Sequence, residues 1–205
     1  MKKLLLTSLL VASAIFGHTT EPAGPPPSDV APAIAATLQK DGVRVLDGKK
    51  VVMELWFVAA APTGPKTTEE AVSWETVATG AFLGVARFPE RGSDRRGMTI
   101  KPGLYTMRFA LYPQNGNHQG VEPQRDFLVL SLAADDKDPK STPNFDTLME
   151  MSRKAAGNPH PAVMSFWRAE ADAKPGVEAK ESDQVLTTKI GDVPISVIVA
   201  GRNAH

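Results

Sequence analysis

The chain has 205 residues, no cysteine, and 23 Lys and Arg balanced by 23 Asp and Glu. Without Cys there is no disulfide framework, no thiolate zinc or iron–sulfur site, no blue-copper centre, no cysteine nucleophile and no acylated lipoprotein anchor. Zero net charge, with 42% apolar and 22% charged residues, describes a globular protein rather than an electrostatically driven nucleic-acid binder.

Met1-Lys2-Lys3 is a short basic start, and Leu4 to Ala14 is apolar apart from Thr7, Ser8 and Ser13. Ala12-Ser13-Ala14 then matches a small-x-small cleavage pattern. Residues 1–20 read as a secretory signal peptide, cleaved somewhere from Ala14 to Thr20. The apolar stretch is too short to span a bilayer, and no later window resembles a transmembrane helix. Export removes Lys2 and Lys3 but no acid, which leaves a slightly acidic mature chain. Pro22, Pro25, Pro26, Pro27 and Pro32 follow closely. Residues 21–33 are therefore expected to be a disordered Pro-rich tether, ahead of one domain over 34–201 and a tail over 202–205. A domain of that size buries roughly 70% of its unfolded surface, enough for a core without staples.

The body alternates short apolar runs with Gly, Pro, Asn and Asp punctuation, the rhythm of an all-β protein. Val43-Arg44-Val45-Leu46 alternates, and Asp47-Gly48 predicts a hairpin turn into Lys50 to Val58. Pro62, Gly64 and Pro65 mark a loop. Thr76 to Phe88, interrupted by Gly80 and Gly84, predicts two short strands or one bulged strand. A charged turn over Arg91 to Gly97 precedes a short extended Met98-Thr99-Ile100. Lys101-Pro102-Gly103 turns into a long strand, Leu104 to Tyr112. Asp126 to Leu132 is nearly all apolar, as a strand buried on both faces would be. Ser141-Thr142-Pro143 predicts a helix start, Phe145, Leu148, Met149 and Met151 its apolar face, and Gly157 its stop. Ala162 to Trp167, Val185 to Ile190 and Val193 to Ala200 are further strands, the last two joined by a tight Gly191-Asp192 turn. Eight or nine strands and one short helix predict an antiparallel two-sheet β-sandwich, with a small barrel as the alternative.

Pro113 to Arg125 carries the strongest hint of a site. Hairpin loops rarely exceed five residues, and long loops are commonly functional. Tyr112, Asn115, Asn117, His118, Glu122 and Arg125 are the candidate ligand-binding residues, because their hydrogen-bonding groups suit a polar ligand such as a sugar. Tyr112, Phe127 or Trp56 could supply an apolar platform. Other chemistry is thinly signalled. His118 and His160 lie far apart in sequence, and Asp135-Asp136-Lys137-Asp138 lacks calcium-loop spacing, so no metal or cofactor is expected. Arg87, Arg91, Arg95 and Arg96, interrupted by Glu90 and Asp94, read as a charge-balanced turn. No G-x-S-x-G elbow surrounds Ser93, Ser141, Ser165 or Ser182. Glu54 in its apolar strand points outward by alternation.

Trp74 followed by Thr79-Gly80-Ala81, then Ile100-Lys101-Pro102-Gly103-Leu104-Tyr105-Thr106, resembles an uncharacterised family of secreted bacterial β-sandwich proteins. The run Val51 to Val58 is similar to that family's preceding strand. The resemblance implies a sandwich fold and carries no activity or site residues. The family has Trp-Arg directly before Thr-Gly-Ala and Asn-Glu after it, whereas here Phe82-Leu83 follow Ala81.

These signals together describe an exported, periplasmic or extracellular, non-catalytic binding or accessory domain. Its partner would be a polysaccharide or an envelope protein. The alternatives are a secreted hydrolase acting on glycans, with His118 beside Glu122 or Asp126, and a periplasmic metal-handling protein joining His118 to His160.

Overall fold

The computed structural model describes residues 17–114 and 124–201. It is mostly β, with 44% strand and 9% helix. The strands in chain order are β1 (His18–Gly24), β2 (Gly42–Asp47), β3 (Lys50–Phe57), β4 (Phe82–Phe88), β5 (Gly92–Ser93), β6 (Thr99–Ile100), β7 (Gly103–Leu111), β8 (Asp126–Leu132), β9 (Val163–Arg168), β10 (Gly176–Lys180), β11 (Asp183–Ile190) and β12 (Val193–Ala200). Helix α1 spans Pro32–Ala35 and α2 spans Phe145–Ala156. Ten strands form one antiparallel sheet in the order β1-β2-β3-β4-β7-β8-β9-β12-β11-β10, and β5 pairs with β6 apart from it. The sheet curls until β10 lies against β1, so it is nearly a closed barrel. The all-β class stands as read, and of the two arrangements the single curled sheet is the barrel-like one.

Curling gives each strand an interior and an exterior face. Met107, Phe109, Leu128, Leu130, Phe166, Ile195 and Val197 fill the interior. Phe127, Val129 and Val163 face outward and would be wet but for α2, whose Leu148 and Met149 cover them. The near-continuous apolar run of β8 is thus buried on both faces, as its composition predicts. Asn144, rather than Ser141 or Thr142, caps α2: its Oδ1 accepts from Thr147 N at 2.9 Å. Gly157 ends the helix in the left-handed conformation that favours glycine.

The region read as a tether is part of the fold. His18 through Pro22 pair in register with Asp47 through Val43, so the domain starts near residue 18 instead of 34. Proline is tolerated because β1 is an edge strand, where a missing N–H costs no ladder bond. Beyond it, Gly24 accepts from Trp56 Nε1 at 2.8 Å, Asp29 pairs with Arg87 at 2.8 Å, and Val30 and Ile34 are buried. Of the expected leader, residues 18–20 form part of β1, while 1–16 lie outside the described residues, as does the tail over 202–205. Of the stretch Thr76 to Phe88, only Phe82–Phe88 is strand, bulged between Phe82 and Gly84, and residues 76–81 belong to the connection before it. A Cβ at Gly84 would collide with the Trp56 carbonyl oxygen, so only glycine lets β4 approach β3 there.

One buried ion pair organises the exterior of β7. Arg108 is fully buried, and its guanidinium grips Asp136 through Nε and Nη2, both at 2.7 Å. It also donates to the carbonyls of Gly80, Asp138 and Ser141 at 2.8, 2.7 and 2.6 Å, and lies 5.6 Å from the Phe82 ring centroid. Thr106 Oγ1 completes the Asp136 carboxylate at 2.7 Å. The acidic stretch read as solvated therefore contributes one buried carboxylate to the layer outside β7. Removing one partner of such a pair strands a buried charge, at a cost of about 3–5 kcal/mol. Arg108→Met should lower unfolding free energy by about that amount in urea titrations, and Arg108→Met with Asp136→Leu should recover part of the loss. A chain beginning at Ile34 should show no cooperative thermal transition by circular dichroism, whereas one beginning at Gly17 should melt cooperatively.

Candidate functional site

Two ends of the barrel differ in character. At the lower end emerge the connections 89–102 and 133–162, the second carrying α2. At the upper end emerge α1, the long connection 58–81, the connection 169–175, and the 112–125 loop. Asn115, Asn117, His118 and Glu122 lie outside the described residues. Tyr112 and Arg125 flank them and are placed: Tyr112 N donates to Arg125 O at 3.0 Å, extending the β7–β8 ladder by one step.

Arg125 acts as a clamp between loops. Its Nε donates to Tyr112 O at 2.8 Å, Nη1 to Glu70 O at 2.6 Å, and Nη2 to Glu69 Oε2 at 2.7 Å. The planar fork of the guanidinium suits three such acceptors at fixed angles. Tyr112 stacks on Phe127 with ring centroids 4.4 Å apart. Phe127 itself is buried and so supports a platform without forming its surface. Trp56 does not join them, because it is buried at the β2–β3 side, where its ring fills the space beside Gly42.

Asp126 faces the interior and is fully buried. Its carboxylate accepts from Ser73 N at 3.0 Å, Ser73 Oγ at 2.6 Å and Trp74 N at 3.1 Å. Ser73 Oγ in turn accepts from Arg168 N at 2.8 Å, so the loop is stitched to β8 and β9 together. Trp74 is thereby held in the barrel mouth, stacked on Phe166 at 6.1 Å. Burial raises the Asp126 carboxyl above its ordinary value, against the opposing pull of the Ser73 and Trp74 hydrogen bonds and the Arg125 charge. With Ser73 and Trp74 donating to its oxygens, Asp126 anchors the 58–81 connection to β8.

The remaining sequence candidates resolve into structure. Within the charged segment Arg96 pairs with Asp94, whereas Arg95 reaches Asp183 at 3.0 Å and Arg87 reaches Asp29, both acids outside it. Glu54 pairs with Arg44 at 2.7 Å. His160 is exposed in a turn whose backbone N–H donates to Asn158 Oδ1 at 2.8 Å. Among the described residues, no group of three or more His, Asp or Glu could hold a metal ion, and no helix is long and apolar enough to cross a membrane. The loop-anchoring roles of Arg125 and Asp126 escape sequence reading because Glu69, Glu70, Ser73 and Trp74 lie more than 50 residues away.

A carboxyl whose pKa rises on folding binds its proton more tightly in the native state. Its own contribution to stability therefore grows as pH falls toward the ordinary carboxylate value of 3.8. Relative to Asp126→Asn, the wild type should gain stability from about pH 7 to about pH 4.5, read as the difference between their urea midpoints at each pH.

Compared with known proteins, the chain matches no family model, no curated protein and no solved structure.

Proposed function

We propose that this protein is an exported, non-catalytic binding module that recognises a polar ligand, with polysaccharide as the leading class, at the upper end of its barrel. The observation that carries this reading is the double clamp of adjacent residues. Arg125 ties the 112–125 loop to Glu69 and Glu70, and Asp126 ties Ser73 and Trp74 to β8. The 58–81 connection and the described ends of the 112–125 segment are thus held together on the sheet, an arrangement by which scaffolds present recognition loops. Export rests on the basic and apolar N-terminal segment, and β1 begins at His18, just past its small-residue cleavage pattern. Cleavage at Ala14 would leave β1 whole, whereas cleavage after Thr20 would remove three of its residues.

The buried charges support the non-catalytic part of the reading. Arg108, Asp136 and Asp126 are each spent on side chains and on the backbone of connecting loops. An envelope protein is the other partner class, and the test separates the two. Mature protein should be screened by thermal shift against soluble cell-wall and plant glycans. A ligand at about 100 times its Kd stabilises by roughly 2.7 kcal/mol, a rise of several degrees at this size. The shift should disappear in Arg125→Ala, which frees the two loops from each other. Absence of a shift with every glycan would overturn the polysaccharide reading and leave a protein partner.

A further inference from the structure

Between the two clamps at the upper end the chain takes one left-handed step. On the outer side Arg125 donates to the Glu70 carbonyl at 2.6 Å and to the Glu69 carboxylate at 2.7 Å. On the inner side Asp126 accepts from Ser73 and Trp74. Only Ala71 and Val72 separate the two grips, and Val72 packs on the core. Thr67 N donates to Glu75 O at 2.7 Å and Lys66 pairs with Glu75 at 2.7 Å, so residues 67–75 form a loop closed at its base. Ala71, exposed in the middle of that loop, has a φ of 54°. Among the described residues the other non-glycine at positive φ is Glu181, which lies in the two-residue turn from β10 to β11, where that conformation is ordinary. Alanine has no polar side chain to bond locally, so Ala71 holds the left-handed conformation at a cost that glycine would avoid.

We propose that the 67–75 loop is a strained rim: the Arg125 and Asp126 grips together hold Ala71 in the left-handed conformation, and loss of either grip lets the loop relax away from the barrel mouth. This deepens the binding-module reading by giving the rim a closed and an open state, and it rests on that reading only for what the opening serves. The strain has a geometric origin. Arg125 and Asp126 are adjacent and point to opposite faces of the sheet, so a chain that meets both must cross from the outer to the inner side within two residues. Val72 is β-branched and strongly disfavours positive φ, so the sharp step falls on Ala71. The grips also differ. Asp126 is fully buried, whereas the Glu69 side chain is 53% exposed, so solvent competes for the outer grip more readily than for the inner one. Strain of this kind persists only while surrounding contacts impose it, so opening the loop and relaxing Ala71 are one event.

The test uses the mature protein without any ligand, so its failure and the failure of the binding-module reading are separate results. Ala71→Gly should raise the melting temperature by a few degrees, net of the entropy that glycine adds to the unfolded chain. In a double-mutant cycle, Arg125→Ala should lower the melting temperature more in the Ala71→Gly background than in the wild type, because only in the wild type does losing the grip also release strain. Native-state hydrogen exchange followed by NMR should find the Ser73 and Trp74 N–H groups less protected than those of β8, and several-fold better protected in Ala71→Gly. If Arg125→Ala does not melt cooperatively, Glu69→Ala removes one exposed acceptor of the same grip and carries the cycle in the same sense. An unchanged or lowered melting temperature in Ala71→Gly would overturn the strained rim. Equal losses from Arg125→Ala in both backgrounds would do the same, as would Ser73 and Trp74 amides that exchange only together with β8. A cycle coupled in the stated sense, in a protein that no glycan stabilises, would leave the strained rim standing and remove only the polysaccharide from what it serves.

Discussion

The burial of Arg108 is the constraint around which the rest is arranged. A guanidinium cannot shed its charge, so a fully buried one must be met on all its N–H groups. Those groups reach Asp136, the carbonyls of Asp138 and Ser141 just before α2, and the Gly80 carbonyl at the end of the 58–81 connection. One side chain thus sets the path of the segment that delivers α2 to the outside of β8. It also sets where the 58–81 connection re-enters the sheet as β4. A hydrophobic replacement could satisfy the volume but would leave those carbonyls without donors, so the pair specifies a path as well as filling space.

The same logic recurs at the upper end in adjacent positions of one strand entry. Alternation sends Asp126 inward and Arg125 outward. Asp126 meets backbone and hydroxyl donors from Ser73 and Trp74, and Arg125 meets acceptors from Glu69, Glu70 and Tyr112. One connection is held from both faces of the sheet by neighbouring residues of opposite charge. The barrel interior is occupied by side chains.

Much of the strand pattern was legible because it is local. The Asp47-Gly48 and Gly191-Asp192 turns sit where β2 meets β3 and β11 meets β12. The apolar run of β8 announced burial on both faces. Proline content misled at β1, since a proline excludes a central strand but not an edge one. Strand β10 was missed because Gly176–Lys180 is short and mostly exposed, with little apolar signal. The acidic stretch at Asp135 to Asp138 looked solvated because its cationic partner lies about 30 residues upstream inside an apolar strand. For the site, the 112–125 loop drew attention by its length and polarity. The partial exposure of Trp167 was invisible, because it depends on which face the curled sheet turns outward.

By itself the sequence determined the all-β class, the hairpin turns, the helix near residue 150 and the apolar alternation that assigns faces. These follow from backbone sterics and side-chain period over a few residues. Only the tertiary structure decided that the strands share one curled sheet, that residues 18–24 complete it, and that Arg108, Arg125 and Asp126 anchor distant loops. Those features depend on pairings between residues tens of positions apart. Such pairings are selected by the desolvation cost of leaving a buried charge or a strand edge unmet, a cost that no short window of sequence expresses.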